Sequence, residues 1–229
     1  GGRGISDALG IGGFTDLDVV RNPNLGATPY IARAYIRQII PFSKEDVKVA
    51  RGITNVFQQL PKHRLELRFG KFGLVDFFDV NSVGSDSHLQ FLNWTVDNNG
   101  AYDFAANTRG YTFGAMAELV TPAWSLRFCE ALMPTVANGI DLDFHLPRAR
   151  AENIEFELRK SLVLQRNGAL RLLSYVNHAD MGVYREANAA FLAGTDPVPD
   201  ITKQERQGNV KYGFGVNAEQ ELSGLVRVF

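Results

Sequence analysis

Arg64-Leu65-Glu66-Leu67-Arg68-Phe69-Gly70-Lys71-Phe72 alternates polar and apolar residues. Successive side chains of an extended strand point to opposite faces. One face of this segment therefore carries Leu65, Leu67 and Phe69, and the other Arg64, Glu66, Arg68 and Gly70. The same two-residue period returns in Trp124-Ser125-Leu126-Arg127-Phe128 and in Asn153-Ile154-Glu155-Phe156-Glu157-Leu158-Arg159. It returns again in Val210-Lys211-Tyr212-Gly213-Phe214-Gly215-Val216-Asn217. Ala32–Arg37 and Tyr111–Leu119 alternate more weakly. Leu170–His178 is less regular because Leu172 adjoins Leu173; Arg171, Tyr175 and Asn177 are assigned to its polar side. Leu225–Phe229 reads as part of a further strand. This period predicts about eight or nine strands of ~10 residues, a length that lets a tilted strand cross a membrane.

Composition agrees with an all-β chain. The 229 residues suffice for one domain, 1–229. Gly (22) and Phe (16) are abundant, which suits many turns and strands. The 24 Lys+Arg nearly balance the 25 Asp+Glu, so the basic excess of a nucleic-acid partner is missing. Cys129 stands alone, which rules out an internal disulfide. No apolar run approaches the ~18 residues of a membrane-spanning helix; Leu162-Val163-Leu164 is typical of the longest. A barrel needs no such run, because only alternate residues face lipid. The chain opens Gly1-Gly2-Arg3, without an initiator Met or a signal peptide, and is expected to be processed or partial.

Connections differ in length. Thr121-Pro122-Ala123, Arg166-Asn167-Gly168 and Ser223-Gly224 read as tight turns. Long segments cover Asp76–Arg109, Pro134–Glu152 and Met181–Gly208. Short helices are expected at Asp86–Val96, through Leu89, Leu92 and Val96, at Tyr184–Ala193, and at Thr54–Leu60. Short turns at one end and long loops at the other characterise outer-membrane barrels. Tyr30, Phe72, Tyr111 and Trp124 near strand ends suggest interfacial aromatic girdles. A soluble β-sandwich also alternates, but it would bury the Leu65/Leu67/Phe69 face.

Several runs add to the periodicity. Phe69–Asn81 resembles a segment of the carbohydrate-selective porins (the OprB-type family), as do Gln90-Phe91-Leu92-Asn93-Trp94, Asp97–Ala106 and Gly110–Ala115. Tyr175–Gly182 and Tyr212–Gln220 are similar to later hairpins of that family. The resemblance runs in order through about residues 27–229. It implies an antiparallel transmembrane β-barrel of outer-membrane porin type, with about sixteen strands, within the known range. The 8–9 strands read here would be about half of that, so the chain is expected to be the middle of a longer porin. It also implies passive sugar diffusion through a water-filled channel in the bacterial outer membrane, with sugars and membrane lipid as partners and no cofactor, metal or chemistry.

The polar face supplies the candidate pore lining: Arg33, Arg37, Glu66, Arg68, Glu118, Arg127, Glu155, Glu157, Arg159, Arg171, Tyr175, Asn177 and Lys211. Charged groups there would hydrogen-bond sugar hydroxyls, and Tyr35, Tyr175 and Trp94 would stack on sugar rings. Asp76, Asp79, Asn93, Trp94, Asp97 and Asp103 mark the long loop as a candidate constriction. Their bland alternative is ordinary turn chemistry. Glu155 and Glu157 point the same way from one strand, whereas a glycosidase pair must flank the bond, so no enzyme is expected. Asp141, Asp143 and His145 alternate like metal ligands but read as a loop-to-strand edge. A non-channel structural barrel remains the main rival reading.

Overall fold

The computed structural model describes residues 29–229, apart from 53, 87, 88, 92 and 161–164. The strands are β1 (Ala34–Pro41), β2 (Asp46–Lys48), β3 (Gln59–Pro61), β4 (Arg64–Phe72) and β5 (Thr112–Val120). They continue as β6 (Trp124–Leu132), β7 (Arg150–Arg159), β8 (Gly168–Met181), β9 (Arg206–Glu221) and β10 (Arg227–Val228). Helices α1 (Trp94–Asp97) and α2 (Tyr184–Leu192) lie in long loops. Eight strands form one antiparallel sheet in the order β1-β4-β5-β6-β7-β8-β9-β10, while β2 and β3 pair separately. Among the described residues the sheet is open, with β1 and β10 at its edges. No described helix is long and apolar enough to cross a membrane.

Register explains the two faces. Glu66 pairs with Glu118, Glu118 with Arg127, Arg127 with Glu155, and Glu157 with Arg171. Directly opposed residues share a face, so the polar positions of seven strands gather on one side. That side is buried: Glu155 is 0 % exposed and Glu66 1 %. The apolar side is open: Phe69 is 70 % exposed, Ile36 74 % and Phe214 83 %. A soluble sandwich would bury Leu67 and Phe69, and both are exposed. On β8 the alternation settles the Leu172/Leu173 ambiguity: Leu173 joins the inner side with Arg171, Tyr175 and Asn177, and Leu172 faces out.

The buried apolar cluster lies between the sheet and the segment 73–111. It includes Phe72, Leu74, Phe77, Phe78, Tyr102, Met116, Cys129 and Leu173. Each fully buried aromatic or Leu contributes about 1.5–3 kcal/mol. Phe72 was expected in an aromatic girdle, yet it is fully buried and packs edge-on against Tyr35 and Phe77. Its even parity with Arg64, Glu66 and Arg68 turns it inward. Of the other expected girdle residues, Tyr30 lies against Tyr111 and Trp124 against Phe156, each with ring centres 6.2 Å apart.

Several local expectations differ from the structure. Thr54–Leu60 is not a helix; Gln59–Pro61 pairs with Asp46–Lys48, and the Gly52–Asn55 bridge closes a turn. Pro61 stands in a two-stranded hairpin that needs no ladder donor from it. Of the helix expected at Asp86–Val96, residues 87, 88 and 92 lie outside the described part, and the described helix is Trp94–Asp97. Leu92 lies outside the described residues, as do Leu162–Leu164. Gly168 begins β8 instead of ending a tight turn, so the β7–β8 connection is 160–167. Thr121-Pro122-Ala123 is tight as expected, with the Thr121 N–H donating to Trp124 O at 2.9 Å. Helix α2 matches its expected span closely. The β1–β4 connection, 42–63, lies at the same end as the 121–123 turn, because Pro41 pairs with Arg64 and Arg64 with Val120. That end therefore carries one long connection among shorter ones.

Candidate functional site

Opposite charges on neighbouring strands meet along the buried face. Arg37 on β1 pairs with Glu66 on β4 at 2.7 Å. Glu66 also accepts from Arg64 at 2.6 Å and from Arg68. Arg68 reaches Glu118 on β5 at 3.2 Å, and Glu118 meets Arg127 on β6 at 3.1 Å. Arg127 pairs with Glu155 on β7 at 2.6 Å and with Glu157. Arg171 on β8 then links Glu157 at 3.3 Å to Glu219 on β9 at 2.8 Å. The result is a continuous ladder of alternating charge across seven strands. A buried ion costs several kcal/mol unless paired, and here each carboxylate has at least one guanidinium.

The segment 73–111 folds against this face and is fastened at each level. Phe77 O accepts from Arg127 at 2.7 Å. The Asp79 N–H donates to Glu155 at 2.7 Å, and the Asp79 carboxylate accepts from the Asn99 and Asn217 side-chain amides at 3.2 and 3.1 Å. Asp79 holds a left-handed backbone (φ 58), a conformation Asp tolerates. Ser82 N donates to Glu219 at 3.1 Å. The chain then climbs back. Tyr175 donates to Ala101 O at 2.6 Å, Tyr102 to Asn153 at 2.8 Å, and Asn177 to Asp103 O at 2.6 Å. Burial pushes the Tyr102 phenol well above its usual range, with the nearby Cys129 and Glu155 adding to the effect. Gly213 makes room for Tyr175: a Cβ there would lie 2.7 Å from the ring.

Every sequence-assigned lining residue has a definite place. Arg37, Glu66, Arg68, Glu118, Arg127, Glu155, Glu157 and Arg171 form the ladder. Arg159 flanks it, 3.4 Å from Glu157 and donating to Ser125 at 2.9 Å. Arg33 precedes β1 and clasps Asp76 through two 2.7 Å bonds. Tyr175 and Asn177 hold the returning limb of the segment, and Lys211 pairs with Asp103 at 3.0 Å. Tyr35 packs on Phe72 and Phe77. Of the loop residues, Asp76, Asp79 and Asp103 bind the wall, Asp97 is buried, and Asn93 caps α1 locally by accepting from Thr95. Trp94 starts α1, and its side chain lies outside the described part. Asp143 accepts from His145 and Arg148 at 2.8 and 2.9 Å within the 133–149 loop. Desolvation opposes its ionisation, but the His145 N–H and these side chains hold its carboxyl down at about 2.

Sequence reading missed Glu219, Asn217, Asn153 and Ser82. Glu219 and Asn217 share parity with Gly213 and Gly215, so the outward Val216 could have flagged both. Ser82 carried no signal, because loop residues have no fixed face. The 42–63 connection was also missed as a wall contact: Asn55 accepts from Arg37 at 2.9 Å.

An antiparallel wall with charge inside, apolar residues outside and a long loop folded onto its charged face defines the porin class. The model of the carbohydrate-selective porin, OprB family, matches residues 1–225, and the chain belongs to that family. Neither the curated proteins nor the solved structures contain a match to the chain. The family is one of outer-membrane porins of Gram-negative bacteria, and porins are generally not enzymes.

Proposed function

We propose that this chain builds part of the wall of an outer-membrane channel through which sugars diffuse passively, without cofactor or chemistry. The inverted burial carries the reading: charges converge on the inner face while Phe69, Ile36 and Phe214 stand open for lipid. Hydrocarbon leaves no partner for an unpaired strand edge. In the membrane, the open edges at β1 and β10 are met by further strands, and closure at about sixteen leaves a water-filled lumen. The segment 73–111 then narrows that lumen, with Asp76, Asp79 and Asp103 fixing its height. Ladder residues keep the wall rigid, and their outermost N–H groups meet sugar hydroxyls.

A non-channel barrel is the second reading, favoured by the dense packing of Phe72, Leu74 and Phe78 beneath the loop. Single-channel recording of the full-length gene product in planar bilayers separates the two. Stepwise openings that sugars reduce in a saturable way are expected. Insertion without conductance would overturn the channel in favour of the filled barrel. Failure to partition into detergent would overturn the membrane placement itself.

A further inference from the structure

Beyond the neutral-sugar path, we propose that the short-turn end of the inner face carries an anion site that takes a phosphate or carboxylate group borne on a sugar-sized solute. The placement of this site in a lumen rests on the channel reading above. A cavity of about 540 Å³ opens there, beside Pro122, Lys160, residues 165–167 and Arg227. Small-molecule sites span ~300–1,000 Å³. Five cations line it: Arg159, Lys160, Arg166, Arg171 and Arg227. Two carboxylates, Glu157 and Glu219, oppose them.

Those carboxylates are already engaged. Glu157 is shared among Arg127, Arg159 and Arg171. Glu219 takes Arg171 on one oxygen and Ser82 on the other. Arg166 has a long, 3.4 Å pairing with Glu221. Lys160 and Arg227 have no carboxylate partner among the described residues, and Arg227 donates to Ser82 Oγ at 2.9 Å. The wall thus offers donors and positive charge, with its acceptors spent. Elsewhere on the ladder every cation touches a carboxylate: Arg37, Arg64 and Arg68 share Glu66, and Arg127 meets Glu118, Glu155 and Glu157. Charge-assisted bonds to a phosphate or carboxylate are about twice as strong as neutral ones. Guanidinium groups suit the planar and forked geometry of such anions. A field of one sign at a channel mouth also raises the local concentration of oppositely charged solutes.

The test is block of the full-length channel by glucose, glucose phosphate, a sugar acid and inorganic phosphate, in wild type and in a Lys160→Glu/Arg227→Glu variant. The sugar phosphate and sugar acid are expected to block at about tenfold lower concentration than glucose, which corresponds to ~1.4 kcal/mol. The variant should lose that advantage and keep block by glucose. Comparing sugar phosphate with inorganic phosphate shows how much the sugar adds. Equal block by glucose and the anions would overturn the site while leaving the channel standing. If nothing conducts, the channel reading fails, and equilibrium dialysis of labelled phosphate against the detergent-solubilised protein decides the site. Binding that the variant loses supports it, and its absence in wild type overturns it.

Discussion

Leu126 and Arg127 are neighbours on β6 and live in opposite environments. Arg127 is buried among Glu118, Glu155 and Glu157, while Leu126 is 40 % exposed on the apolar face. In a soluble sheet the two would exchange places. The difference shows where each face finds its stabilisation. The inner face depends on specific pairs, because a buried charge without a partner is costly. The outer face depends on being apolar, with little demand on which apolar residue stands where.

The sharpest way to break this contrast is Arg127→Met. It leaves the buried Glu155 without a guanidinium and takes one partner each from Glu118 and Glu157, and a loss of ~3–5 kcal/mol is expected. Denaturant unfolding in detergent measures it; a loss below about 1 kcal/mol would mean the ladder is a solvated decoration. Next is the opposite fault, Phe128→Lys on the outer face. A cation near the bilayer midplane costs ~2–4 kcal/mol, falling towards zero at the interface. If this variant inserts and unfolds like the wild type, that face does not meet lipid.

Asp79→Ala tests the hold of the loop on the inner face. Removing its carboxylate takes the acceptor from the Asn99 backbone N–H and one acceptor each from the Asn99 and Asn217 side-chain amides, for ~1–3 kcal/mol. Faster hydrogen exchange across 79–103 and noisier, larger openings are expected, while the strand amides keep their protection. Unchanged exchange would show that packing of Phe77 and Phe78 alone holds the segment. The smallest effect lies off the sheet, at Asp143. Its carboxyl is held down at about 2, from an ordinary 3.8. Its contribution is therefore complete above about pH 3.8 and is lost as pH falls through about 2. Exchange in 133–149 should rise over that window and stay flat above it. Asp143→Asn should remove the acid step.

Alternation carried most of the wall. The strands at 64–72, 124–132 and 153–159 and their inner and outer faces follow from a two-residue period, because backbone geometry alone turns successive side chains apart. Even Leu172 and Leu173 obey it once the strand exists. Irregular segments were less legible. Periodicity at Leu89 and Val96 suggested a helix over Asp86–Val96, whereas the described helix is Trp94–Asp97, since tertiary anchors at Asp79, Ser82 and Asn99 dictate that path. Pro61 and Gln59 went to a hairpin for similar reasons.

The sequence by itself determined the strand type, the polarity of each face and the residues eligible to line a lumen, which depend on local geometry and composition, and its ordered motifs carried the resemblance to the family. Tertiary structure decided which carboxylate met which guanidinium, which loop folded onto the charged face and covered Phe72, and that Lys160 and Arg227 lined one cavity without a carboxylate partner among the described residues. Those outcomes depend on inter-strand register and on contacts between residues as far apart as Ser82 and Glu219, and no local pattern encodes them.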